Sequence, residues 1–140
     1  MPPVRRDTER VGPTMLEVDL HGYLPSTIED RDLVKAIVRQ AWEIGSPRLR
    51  LIHGYGWWRH GRRPLPNTNT GPLGLTIRRA LRNAKRLRTW MYARIDVTDP
   101  GATTVRLKAN PAPSRTRFEA LPDLDFPEEP IARAKRTSDF

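Results

Sequence analysis

The apolar residues of this chain change period along its length, and that change limits the possible folds more than any other feature. Leu16, Val18 and Leu20 alternate with Glu17, Asp19 and His21, the period-two pattern of a strand with one polar side. Ile28, Val34, Ile37, Val38, Ala41 and Trp42 then recur at helical spacing until Gly45. Ser26 followed by Glu29 reads as a capping box, which predicts one helix starting at Ser26. Leu49–His53 is a short apolar run suited to a buried strand. After a long loop, Thr70, Gly71 and Pro72 open a second helix. Its stripe of Leu73, Ile77, Ala80, Leu81 and Ala84 stands opposite Arg78, Arg82 and Lys85, which predicts a basic outer face. Period two returns over Trp90–Val97, with Met91, Ala93, Ile95 and Val97 on one side, and again in Thr103, Val105 and Leu107. Asp99, Pro100 and Gly101 between these runs suit a type II turn and a hairpin.

The order β-α-β-α-β-β predicts a two-layer α/β sandwich on a mixed four-stranded sheet, with right-handed crossovers and a closing hairpin as antiparallel edge. The 140 residues hold one such domain, placed at 14–108. The flanks 1–13 and 109–140 carry three and five prolines and little apolar periodicity, so both read as irregular. Glu119–Glu129 holds five acids and no base; it either stays solvated or folds back on a basic surface and competes with nucleic acid there.

No run approaches the roughly 18 apolar residues of a membrane span, and Met1–Pro13 lacks the apolar core of a secretory signal, so the sequence reads as cytoplasmic and not membrane-bound. The absence of Cys excludes disulfides, thiolate metal sites and a Cys nucleophile.

The formal charge is +9, and its distribution is one-sided. Ile44–Ile95 contains twelve Arg or Lys and no Asp or Glu. Such a field attracts polyanions, with nucleic acid first among them. Arg outnumbers Lys 21 to 4, which suits bidentate phosphate contacts and stacking on bases and equally reflects Arg-favouring codons.

Two strands end in similar motifs: Asp19, Leu20, His21, Gly22 and Ile52, His53, Gly54, Tyr55, Gly56. Ligands of open α/β sheets bind at such carboxyl ends. Period two puts Asp19 and His21 on one side, so the carboxylate can orient the imidazole as a general base or acid. Alternatively the pair caps backbone amides at a turn. His53 is a secondary candidate for proton transfer or phosphate contact. Asp19, His21 and His53 form no recognisable metal set; no tightly bound metal is expected, and Mg²⁺ would arrive with substrate phosphates.

The strings Leu16–Gly22, Ile52–Gly56 and Gly101–Lys108 resemble the three motifs of the Smr (small MutS-related) domain, and the likeness spans nearly all of 14–108. It implies an α/β sandwich related to the C-terminal domain of a bacterial translation initiation factor. It also implies endonuclease activity on RNA or DNA, with ribosome-bound mRNA among the family's substrates. The catalytic pair of the family falls on Asp19 and His21, and its glycine-rich element on His53, Gly54, Tyr55 and Gly56. Val18 replaces the usual leucine, and an insertion separates Gly56 from Gly71.

That insertion carries Trp57, Trp58, Arg59, His60, Gly61, Arg62 and Arg63, an aromatic and cationic set suited to single strands. One Trp anchoring the loop to the core is the alternative. The sequence thus predicts an Smr-like nuclease, monomeric or weakly oligomeric. It would cleave single-stranded RNA, or branched or single-stranded DNA, through Asp19, His21 and His53. Gly54, Tyr55, Gly56, Trp57, Trp58, Arg59, Arg62, Arg63, Arg78, Arg82 and Lys85 would bind the substrate. A non-catalytic adaptor for RNA, ribosomes or DNA is the competing reading.

Overall fold

The computed structural model describes residues 8–10, 15–54, 70–119 and 121–125. In chain order the elements are β1 (Thr8–Arg10), β2 (Leu16–Asp19), α1 (Pro25–Asp30), α2 (Leu33–Ile44), β3 (Arg48–Ile52), α3 (Pro72–Asn83), a 3-10 helix (Lys85–Thr89), β4 (Met91–Asp96) and β5 (Ala102–Leu107). The class is the expected α/β sandwich on a mixed sheet, but the sheet has five strands in the order β1-β2-β3-β5-β4. The fifth comes from the N-terminal arm, expected to be irregular: β1 pairs antiparallel with β2, Glu9 opposite Glu17.

β2 and β3 are parallel, as a helical crossover requires, and β5 runs antiparallel to both β3 and β4. The closing hairpin forms the expected antiparallel edge, with β5 beside β3 and β4 outermost. Burial accounts for this order. Ala102, Thr103, Val105 and Leu107 of β5 are buried, whereas Tyr92, Ala93 and Arg94 of β4 are exposed, so the more apolar strand takes the interior place. The register shift between Met91 and Ile95 breaks the alternation expected for β4 and leaves Ala93 outside. The turn spans Asp99–Ala102 with Ala102 N donating to Asp99 O at 3.2 Å. Gly101 lacks the positive φ of a type II turn; its N–H is instead held by Asp99 Oδ1 at 2.8 Å.

The helix expected from Ser26 is two helices. Pro25 takes the first helical position, where its missing N–H costs nothing, so α1 starts one residue early and Ser26 caps nothing. Asp32, at φ 52°, then enters the left-handed region that Asp tolerates and separates α1 from α2. Gly45, at φ 90°, closes α2 with its N–H on Ala41 O and Trp42 O.

α1 packs on α2 and α3, so the helices form one layer on one face of the sheet. Leu16, Val18, Leu49, Leu51, Val105 and Leu107 meet Ile28, Ile37, Val38, Ile77 and Leu81 beneath them. The opposite face, carrying Glu17, Arg48, Arg50, Thr104 and Arg106, is polar.

The described part of the C-terminal segment has no regular structure, yet it is not a solvated tail. Asn110 Nδ2 donates to Trp42 O at 2.7 Å, Arg115 Nε donates to Glu43 Oε1 at 3.0 Å, and Glu119 N donates to Gln40 Oε1 at 2.8 Å. Leu121 is buried in the core. The segment runs along α2 and ends beside α1, where Asp125 Oδ2 accepts the Leu24 N–H at 2.8 Å.

Candidate functional site

The end of β2 is held to β3 by Leu20 N donating to Ile52 O at 2.7 Å. Asp19 and His21 flank Leu20, so when Leu20 turns into the core both of them face the polar side of the sheet. His21 Nδ1 lies 2.5 Å from Asp19 Oδ1, with 38% and 31% of the two side chains exposed. A carboxylate so close makes Nδ1 the protonated nitrogen and puts the basic lone pair on Nε2. The same Oδ1 accepts the His21 backbone N–H at 3.0 Å, so Asp19 caps the turn as well as orienting the ring.

Gly54 completes this edge. Its φ of 63° favours glycine, and its N–H, like that of His53, donates to Gly101 O, at 2.9 and 3.0 Å. A Cβ there would lie 3.6 Å from His21 Cβ, so the ends of β2 and β3 are in contact. Tyr55, Gly56, Trp57, Trp58, Arg59, Arg62 and Arg63 lie outside the described residues.

His53 is not at the surface, contrary to expectation. Period two turns it to the helix side, where it is 0% exposed. Its Nδ1–H donates to Gly54 O at 3.1 Å, and Nε2 accepts the Thr103 hydroxyl at 3.0 Å. Burial pushes its imidazole below the ordinary value of 6.5, which keeps it neutral. With both nitrogens engaged inside the fold, His53 supports the site edge and contacts no phosphate.

Arg78 departs from expectation in the same way. It is buried; Nε donates to Thr103 Oγ1 at 2.8 Å, and Nη2 donates to Asp99 O at 2.9 Å and Ala102 O at 3.1 Å. A chain of bonds thus runs from α3 through Thr103 to His53 and Gly54. The sequence contains a signal for this: Gly74, Ile77, Arg78 and Leu81 share the i, i+3, i+4, i+7 spacing of an inward stripe. Thr103 and Asp99 had no such signal, because they meet Arg78 only through the β4–β5 turn. Arg82 and Lys85 are exposed as expected, but they lie ten or more residues along from Pro72, about 15 Å or more down the helix from the edge that holds Asp19 and His21.

The C-terminal segment borders the pair on the other side. Tyr23 Oη donates to Pro122 O at 2.5 Å, and Leu124 fills the space beside Gly22. Asp123 and Asp125 are both exposed on this segment. The amide of Leu24 and the hydroxyl of Thr27 hold the Asp125 carboxyl below its usual value.

Among the described residues no three of His, Asp and Glu converge as a metal-binding group, and no helix is long and apolar enough to cross a membrane. Comparison with protein-family models, with curated proteins and with solved structures finds no match.

Proposed function

We propose that this chain is a cytoplasmic nucleic-acid endonuclease in which His21, oriented by Asp19, moves the proton of the cleavage step. The contact that carries the reading is His21 Nδ1 to Asp19 Oδ1, 2.5 Å long and part-exposed at the carboxyl end of a parallel strand. The resemblance of Leu16–Gly22, Ile52–Gly56 and Gly101–Lys108 to the Smr motifs supports it, as does the basic stretch Ile44–Ile95. Nε2 of His21 would take the proton of a water or of an RNA 2′-hydroxyl as its oxygen attacks phosphorus; the bond from phosphorus to the leaving oxygen breaks, and that oxygen takes a proton from solvent. Acid–base help of this kind contributes about 10²- to 10⁴-fold.

The second reading, a binding adaptor for RNA, ribosomes or DNA, is favoured by one observation. Asp19 Oδ1 also caps the His21 amide, a role that needs no chemistry. The test is incubation with labelled single-stranded RNA, single-stranded DNA and branched duplex, with and without EDTA, beside Asp19→Asn and His21→Ala proteins purified identically. Cleavage by the native chain that disappears in both variants supports the enzyme and names its substrate. Binding without cleavage by the native chain refutes the nuclease and leaves the adaptor.

A further inference from the structure

Among the described residues only Leu24 and Tyr92 are exposed large apolar side chains, and Tyr92, 47% exposed, belongs to the sheet face that the helices leave uncovered. The Arg106 guanidinium carbon stands 5.3 Å from the centre of its ring and Lys108 Nζ stands 5.6 Å from it. Arg48 is placed directly opposite Arg106 across the β3–β5 ladder. Higher on this face, Arg50 is paired with Asp99 at 2.7 Å and Glu17 at 3.6 Å, whereas Arg106 and Lys108 stand at the Tyr92 ring. Asp19 and His21 share the face. From the Arg48–Arg106 level to the Asp19–Ile52 level is four residues and two strand spacings, about 16 Å along the diagonal.

We infer that this open sheet face is the track for a single-stranded nucleic acid, with one base stacked on Tyr92 and neighbouring phosphates held by Arg106 and Lys108. The inference rests on the nucleic-acid reading above and adds the binding surface to it. An unpaired strand fits where a duplex does not: a duplex buries its base faces, so an exposed ring has nothing to stack on. The track ends at the Asp19–His21 corner and does not use the outer helical layer.

The test is fluorescence anisotropy of the full chain with a labelled oligouridylate, repeated over a salt series. Tyr92→Ala should weaken binding roughly 5- to 150-fold, and Tyr92→Phe should restore it, because the ring supplies the stacking. Arg106→Ala with Lys108→Ala should make the slope of log affinity against log salt less negative by about 1.4. Arg79→Ala with Arg86→Ala, exposed on the helical layer, should leave affinity and slope unchanged. An unchanged thermal midpoint checks that each variant is folded. If the helical variant loses affinity while the sheet variants keep it, the track is overturned and the nuclease reading stands. Equal affinity for a duplex of the same length also overturns it. No binding by the native chain at low salt sinks both.

Discussion

Gly74→Ala separates helix propensity from tertiary packing, because the two demand opposite signs. Gly74 sits inside α3 with no positive φ, and propensity alone gives alanine there a gain of up to about 1 kcal/mol. The structure puts Thr70 Oγ1 2.2 Å and the His53 ring 2.8 Å from the new Cβ. Both neighbours are buried, and His53 is pinned by Gly54 O and Thr103 Oγ1, so its ring cannot retreat without breaking a bond. Overpacking of this kind costs about 1–3 kcal/mol, and the pinned ring argues for the upper end. The net expectation is a loss of about 2 kcal/mol, a fall in Tm of about 8–16 °C at 4–8 °C per kcal/mol. Thermal unfolding followed by circular dichroism measures it. Adding Thr70→Ala removes the nearest atom and should recover part of the loss, a coupling that a double-mutant cycle reads. A Tm equal to or above that of the native chain would refute the packing described around His53.

Arg78→Ala should destabilise by about 3 kcal/mol, since Thr103 Oγ1, Asp99 O and Ala102 O lose a charged donor together; Arg78→Lys should not rescue it, and urea unfolding measures both. Stability should fall with pH below about 6.5. The unfolded His53 takes up a proton near that value while the buried ring resists until lower pH, so the unfolded state binds more protons in between. His53→Gln should flatten this part of the urea midpoint profile, whereas losses from Asp96 and Asp125, whose carboxyls lie below 3.8, come only at lower pH. Leu121→Ala should cost about 2–4 kcal/mol if the C-terminal segment belongs to the core; a Tm shift within 2 °C would return that segment to solvent.

The side of the sheet on which a strand residue falls was legible, and the consequence of that side was not. Period two places Asp19 with His21 whatever the surroundings, and it equally places His53 on the face of Leu49 and Leu51. The two histidines end similar motifs, yet two strands in register send them to opposite faces. Arg78 shares its charge with Arg82, but its spacing from Gly74, Ile77 and Leu81 points inward.

By itself the sequence determined the local elements: the periods of β2, α2, β3, α3 and β5, the left-handed stop at Gly45, and the common side of Asp19 and His21. These follow from backbone geometry and nearest neighbours. Only the tertiary structure decided that β5 lies inside β4, that 8–10 adds a strand, and that 110–119 packs along α2. It also decided that His53 and Arg78 are buried supports, and that Arg106 and Lys108 meet at Tyr92. Each of these depends on which face the helices cover and on which strand buries more apolar surface, comparisons between segments far apart in the chain that no local pattern encodes.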